Sequence, residues 1–408
     1  MTRLHAVAAT AADTRSAIDT LDAQLPASVD DVRMVFAFYG CDHDDHALHA
    51  YLQRRFPRAA VIGGTSSGGF ITDRGFMDER SIGLLLLDDA DGDFGVAAAP
   101  LGADPAQTAE DLLQQALTNC GCVGELPELI WVYQVPGHEE AVITGLRRVV
   151  GDRCPIIGGS SADNDVSGQW RQLGPGGPMR AGLVVGVLFP SSPVGYAFQG
   201  GYEPAGPSGI VTGIGFHPAG DSGIVTGSVG REILTIDGAP AAAVYNRWID
   251  SLLDARLEAG GTILADTTLH PLAVDAGRID GVTHYLLIHP ESVTAAGTLR
   301  TFCDLEVGAR VYAMKGDRQR LIDRAGRVVE QAGKALTDGG GQVAGGLVVY
   351  CGGCKMAVGA DITRVAGAVA QAIGNAPFIG CFTFGEQGHL IDRNVHGNLM
   401  ISAITFGR

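Results

Sequence analysis

Three short phrases in the chain set bare backbone beside hydroxyl side chains: Val61-Ile62-Gly63-Gly64-Thr65-Ser66, Ile156-Ile157-Gly158-Gly159-Ser160-Ser161 and Phe378-Ile379-Gly380-Cys381-Phe382-Thr383. Glycine lets a ligand come close to backbone N–H groups, and Ser or Thr supplies a second donor beside them. On that chemistry Gly63, Gly64, Thr65, Ser66, Gly159, Ser160, Ser161 and Thr383 are candidate ligand contacts. The competing reading is a tight turn after a buried strand, with the hydroxyls capping the next stretch of backbone. Two acids stand close by: Glu386 could receive a ligand amine or fix a turn, and Asp163, next to Asn164, carries the same two readings. No copy opens onto the Lys-Ser/Thr helix start that a phosphate loop requires.

Two other groupings have chemical potential. The run Cys41-Asp42-His43-Asp44-Asp45-His46 and then His49 contains metal-ligand types, but an acidic N-cap leading into a helix explains it more simply, and no metal is assigned. Cys351-Gly-Gly-Cys354 lies between a strand and a helix, where the helix N-terminus would lower the first thiol's pKa and allow dithiol redox chemistry. A serine hydrolase is disfavoured, because Gly-Thr-Ser-Ser-Gly lacks the nucleophile elbow and no base is assigned.

The glycine phrases close longer units. In each, an apolar strand (32–40, 128–137, 345–353) is followed by a helix-periodic stretch and then by the strand that carries the phrase. The helical apolar faces are Leu48, Tyr51, Leu52 and Phe56; Val142, Leu146, Val149 and Val150; and Ile362, Val365, Ala366, Val369 and Ile373. Counting from Tyr39, Tyr133 and Tyr350 to the first glycine of each phrase gives 24, 25 and 30 residues. Three such β–α–β units predict parallel strand pairs whose carboxyl ends all reach one edge, the edge at which open α/β sheets bind ligands. Segments such as 81–101, with Asp91-Gly92 at a turn, predict antiparallel partners, so the sheets should be mixed. The expected fold is α/β in two lobes, with mixed, largely parallel-cored sheets, divided near residue 230 into 1–230 and 231–408. Residues 201–213 and 215–227 form a tandem repeat matching at ten of thirteen positions, read as a local duplication.

Composition narrows the partners. The chain has 408 residues, 46% of them hydrophobic, and a formal charge of −16 without a basic run, which repels nucleic acid and anionic membrane surfaces. Its apolar runs are far shorter than the ~20 residues of a membrane helix, so no membrane insertion is expected. Eight cysteines are too few for a disulfide scaffold, and the first fifteen residues lack an apolar signal core, so a cytoplasmic protein is expected. Glycine, at 59 residues, is about twice its usual share.

Taken in order, these motifs resemble the FIST family of sensory domains. "FPRAAVIGGTSSGG" and "CPIIGGSSADND" resemble landmarks of FIST-N, and "IDGAPAAAVYNRW" through "LRTFCDLEVGARVYAMKGD" to "GCFTFGEQG" resembles FIST-C. Gly64 in place of a usual cysteine, and Gln387 in place of an aliphatic residue, depart from the pattern. The resemblance implies a non-enzymatic sensor of a small ligand such as an amino acid. It also implies output in trans through a histidine kinase or cyclic-dinucleotide enzyme, since these residues show no kinase, cyclase or DNA-binding motif; a homo-oligomer is compatible with it. A stand-alone branch of the family, similar to this chain in length, binds haem and senses nitric oxide; haem-based nitric oxide sensing is therefore the sharpest expectation, and an amino acid or another small metabolite the alternative ligand. For the haem version His396, which matches the family's terminal-strand histidine, is the candidate axial ligand, with His217, His284 and His289 as further histidines.

Overall fold

The computed structural model describes residues 2–216 and 229–408. From residue 217 onward the second copy of the tandem repeat, with His217, lies outside the described residues.

The chain runs through the same sequence of elements three times. The first pass is β1 (Arg3–Thr10), α1 (Thr14–Asp22), β2 (Val32–Tyr39), α2 (Asp45–Arg55), β3 (Ala60–Thr65), the short hairpin β4 (Phe70–Thr72) and β5 (Gly75–Met77), and β6 (Ser81–Asp88). The second is β7 (Asp93–Pro100), α3 (Pro105–Cys120), β8 (Leu129–Gln134), α4 (Glu139–Val150), β9 (Ile156–Ser160), the hairpin β10 (Gln172–Gly174) and β11 (Gly177–Met179), and β12 (Gly182–Phe189). The third opens with β13 (Val194–Gly200) and is interrupted by an inserted sheet. That insert comprises β14 (Glu203–Phe216), β15 (Val229–Ile236), β16 (Ala239–Pro240), α5 (Ala241–Trp248), α6 (Asp254–Leu257), β17 (Gly261–Thr262) and α7 (Leu264–Thr267). It ends with β18 (Leu272–Ile279), β19 (Val282–Ile288), β20 (Pro290–Val293), β21 (Leu299–Thr301) and β22 (Arg310–Lys315). The third pass then resumes with α8 (Arg318–Asp338), β23 (Val343–Cys351), α9 (Gly352–Val358), α10 (Ile362–Ala372), β24 (Phe378–Thr383), the hairpin β25 (Glu386–Leu390) and β26 (Arg393–Gly397), and β27 (Met400–Gly407).

Each pass builds a four-stranded sheet around one parallel pair, β2–β3, β8–β9 or β23–β24, flanked by antiparallel strands. Every sheet is completed to six strands by a hairpin from another pass. β10–β11 extends β3, β25–β26 extends β9, and β4–β5 extends β24. The exchange is cyclic, so no sheet is complete without its neighbour. The mixed α/β class expected from the sequence is the class observed, with the three β–α–β units at the sheet centres. The division expected near residue 230 falls on β15, within the inserted sheet.

Strand alternation explains the layers. Met34, Phe36 and Phe38, Trp131 and Tyr133, and Leu347 and Val349 point inward into one core shared by the three sheets. The opposite faces pack against the helices, as where Val35 and Tyr39 meet Leu48, Tyr51 and Leu52 of α2. One register differs from the sequence count. Ser66 N–H donates to the Tyr39 carbonyl and Ser161 N–H to the Gln134 carbonyl, so Gln134 rather than Tyr133 matches Tyr39. Tyr133 points to the inner face, because a one-residue slip reverses a strand side chain's direction.

Asp44 caps α2, its side chain accepting from Ala47 N–H at 2.9 Å. His43 Nδ1 lies 3.2 Å from the Thr14 hydroxyl, and His49 Nε2 lies 3.0 Å from the Pro175 carbonyl. The Asp/His run is thus a helix start whose histidines separate.

Candidate functional site

The three glycine phrases meet, and they meet each other. Ala162 N–H donates to the Thr65 carbonyl at 3.2 Å, Ser67 N–H to the Phe382 carbonyl at 3.2 Å, and Phe384 N–H to the Ser160 carbonyl at 3.1 Å. These three equivalent bonds close a ring around the axis relating the passes. The glycines are there because a neighbour occupies the side-chain position. A Cβ on Gly64 would collide with the Arg171 carbonyl oxygen, one on Gly63 with the Ala37 carbonyl oxygen, and one on Gly159 with the Thr383 side chain.

The hydroxyls of the ring are buried and engaged. Ser66 Oγ accepts from Phe382 N–H at 2.8 Å and donates to the Gly69 carbonyl. Thr65 Oγ1 accepts from Arg171 N–H, Ser161 Oγ donates to the Gln134 carbonyl, and Ser160 Oγ donates to Glu139 at 2.6 Å. Thr383 donates to Glu386 Oε1 at 2.8 Å, while Glu386 Oε2 accepts from Met400 N–H at 3.1 Å. Burial holds the Glu386 carboxyl well above its ordinary range. Asp163 accepts from Val166 N–H at 2.6 Å and Gln169 N–H at 2.7 Å, which pins the loop carrying Asn164, Val166 and Trp170.

Beside the ring, between the three sheets and the insert, is a cavity of about 840 Å³. Ser67, which directly succeeds the two hydroxyls of the first phrase, reaches its wall, as do Phe76, Trp170, Phe302 and Phe384. Its charged lining groups are Glu139, Arg231, Glu291 and Lys355. Trp170 meets Phe384 edge-on with centroids 6.0 Å apart. Lys355 Nζ donates to the carbonyls of Ser67 and Gly68 at 2.9 and 3.0 Å and lies over the Phe382 ring. Burial lowers its pKa from the ordinary lysine value. His289, also in the wall, is pushed down to about 4 by burial, so its imidazole is neutral at physiological pH.

Arg231 ties the insert to the core. Its guanidinium donates to Glu139 at 3.0 Å, Glu140 at 2.5 Å and Asp304 at 3.0 Å, and it is 8% exposed. Burial would raise the pKa values of Glu139 and Glu140, but His396 and Arg231 outweigh it and hold both below the usual carboxylate range. Glu139 and Glu140 begin α4, where acids ordinarily complement the helix dipole in solvent; Glu139 is instead 2% exposed. That burial left no local trace in the sequence, nor did the partnership with Arg231, 92 residues away.

His396 lies behind the wall rather than on it. Its Nδ1 is 2.9 Å from Glu140 Oε1, and its Nε2 faces Gly385, where an added Cβ would sit 2.8 Å away. With a side chain 1% exposed, neither nitrogen offers room for a porphyrin iron. His289 lines the cavity, but its Nε2 is 3.2 Å from the Leu264 carbonyl. Neither His396 nor His289 is placed to ligate a haem iron. Cys351 caps α9, which starts at once at Gly352, yet burial pushes its thiol well above the ordinary range. Desolvation disfavours the thiolate more than the short helix favours it, so the expected activation is not found.

The fold is that of an α/β domain with a cavity lined by all three passes and by the insert. Residues 33–214 match the FIST N domain and residues 241–389 the FIST C domain, so the chain belongs to the FIST family, small-ligand sensors of signal transduction. No curated protein matches the chain. Among solved structures it is similar to cyanuric acid hydrolase from A. caulinodans, at 11% identity over 99% of both chains with a TM-score of 0.36. It is also similar to PurLQS from Thermotoga maritima, at 8% identity over 84% of this chain and 74% of that one, with a TM-score of 0.23. Both likenesses are too distant to inform the site. No helix among the described residues is long and apolar enough to cross a membrane.

Proposed function

We propose that the cavity is the sensory site and that it takes an amino acid or another small charged metabolite, passing its occupancy in trans to a partner histidine kinase or cyclic-dinucleotide enzyme. The observation that carries this reading is the composition of the wall. Ser67 and Phe76 come from the first pass, Glu139 and Trp170 from the second, Lys355 and Phe384 from the third, and Arg231, His289 and Phe302 from the insert. A ligand there touches all four parts at once, so it favours one arrangement of the insert against the core, as a signal requires. Opposite charges set on apolar walls suit a small zwitterion or acid, whose charged ends are oriented while its body is desolvated. Haem, and nitric oxide through it, is the second version; it would need an axial ligand other than His396 and His289, which bond to Glu140 and to the Leu264 carbonyl.

The test is a thermal-shift panel of amino acids and other small charged metabolites, with haem titrated separately. A ligand at 100 times its Kd stabilises the folded state by about 2.7 kcal/mol. The reading expects a saturable shift that Lys355→Met and Trp170→Ala abolish. A panel without a hit, or a shift that survives both substitutions, contradicts it; a Soret band that titrates to one haem per chain restores the haem version.

A further inference from the structure

We propose that Glu140, Cys303 and His396 form a binding site for a divalent zinc-type cation at the seam between the insert and the core. One donor atom from each of Glu140, Cys303 and His396 lies within 4.8 Å of the other two. His396 Nδ1 is 2.9 Å from Glu140 Oε1 and 3.7 Å from Cys303 Sγ. Around a four-coordinate ion with metal–sulfur and metal–nitrogen bonds of the usual length, neighbouring donors are ~3.3–3.6 Å apart. The two separations bracket that range, so His396 Nδ1 stands near coordination spacing from donors on two other, distant segments.

The donor set is chemically apt. Thiolate, imidazole and carboxylate together select zinc and similar ions over magnesium or calcium, which prefer oxygen alone. Cys303 and His396 are 4% and 5% exposed. Glu140 is oriented from two sides: Asp304 N–H donates to Oε1 at 3.0 Å and Arg231 holds Oε2. Such supporting contacts fix a metal ligand's position. The charge balance points the same way, because Glu139, Glu140 and Asp304 converge on the single guanidinium of Arg231. Among the described residues Arg231 is the one permanent cation there, so the ion's charge would take the place of the protons that His396 Nδ1 and Cys303 give up. His396 Nε2 and Asn398 Nδ2 are moreover buried without a hydrogen-bond partner among the described residues, so this corner is not fully satisfied as it stands.

On binding, the thiol proton of Cys303 and the proton between His396 Nδ1 and Glu140 leave to solvent, three donor bonds form, and nothing is oxidised or reduced. The ion would join α4, the segment after β21 and the hairpin β25–β26, clamping insert to core. It lies one side chain behind the cavity: Asn398 lines the cavity and its Oδ1 accepts from Cys303 Sγ at 3.0 Å. The site therefore stands or falls independently of the metabolite reading.

Cobalt(II) titrated into the chelator-treated full chain tests it. One equivalent should bind per chain, with a thiolate-to-cobalt charge-transfer band and the intense visible bands of a four-coordinate centre, and zinc(II) should displace it. Cys303→Ser should abolish the charge-transfer band, Glu140→Gln should weaken cobalt binding more than tenfold, and the Cys351→Ser/Cys354→Ser double variant should keep the full spectrum. A wild-type chain without the band, a band that survives Cys303→Ser, or one lost with Cys351 and Cys354 overturns the proposal. If Cys303→Ser does not fold, unchanged cobalt affinity in Glu140→Gln overturns it equally.

Discussion

Ser66 distinguishes a ring of hydroxyls that serves a ligand from one that closes the fold. Its side chain is fully buried, accepts from Phe382 N–H at 2.8 Å and donates to the Gly69 carbonyl at 2.5 Å. Ser66→Ala removes both bonds and leaves the Phe382 N–H, in a buried strand of the third pass, without a partner. An orphaned buried donor costs about 1–3 kcal/mol, and an ordinary lost hydrogen bond about 1 kcal/mol more. The sum, about 2–4 kcal/mol, is large beside the roughly 5–15 kcal/mol that separates a typical native state from its unfolded ensemble. Urea unfolding followed by tryptophan fluorescence would read it as a lower midpoint at unchanged slope. The stabilisation by saturating ligand should meanwhile be the same in variant and wild type. A loss below about 0.5 kcal/mol, or a ligand response that disappears while stability holds, would refute the closure argument and return Ser66 to the ligand.

The same contacts set three further outcomes. Arg231→Met strands the carboxylates of Glu139, Glu140 and Asp304, and breaking such a buried network should cost about 3–5 kcal/mol of unfolding free energy; a loss near zero would mean that water replaces the guanidinium. His289 has a folded pKa of about 4 against 6.5 in the unfolded chain, so the unfolded state binds the extra proton and stability falls as pH drops through that window. From pH 7 to pH 4 the wild type should lose about 3 kcal/mol more than His289→Gln, and parallel pH profiles would contradict this. Val166, a β-branched residue at φ 61°, is held there by Asp163. Val166→Asn, which tolerates that conformation, should raise stability by about 1 kcal/mol in thermal unfolding, whereas a loss would show that Val166 is not strained.

The three β–α–β units were legible because each repeats the same apolar period and the same glycine phrase, and the helical faces at Leu48, Tyr51 and Leu52, at Val142 and Leu146, and at Val365 and Val369 are the buried ones. How the units lock together was not. Two of the three exchanged hairpins use strands of three residues, such as Phe70–Thr72 and Gln172–Gly174, too short to show a period, and the strands they extend lie far away in sequence. Residue type misled in one place, where tyrosine at 133 suggested equivalence to Tyr39 although pairing assigns that position to Gln134. At the site, the sequence identified the corner but not the wall. Thr65, Ser66, Ser160, Ser161 and Thr383 are the conspicuous hydroxyls, and all of them bond within the protein. The groups that face the cavity, Glu139, Trp170, Arg231 and Lys355, sit in ordinary-looking helix starts, loops and strands, and only the cyclic exchange of hairpins and the insert bring them together.

The central claim is that a small ligand lies between the three sheets and the insert. A crystal structure of the chain with a metabolite that raises its Tm tests this most directly. The account predicts ligand density enclosed by Trp170, Arg231 and Lys355, with the ring bonds from Ala162, Ser67 and Phe384 intact. Density at another place, with this cavity filled by solvent alone, would contradict it.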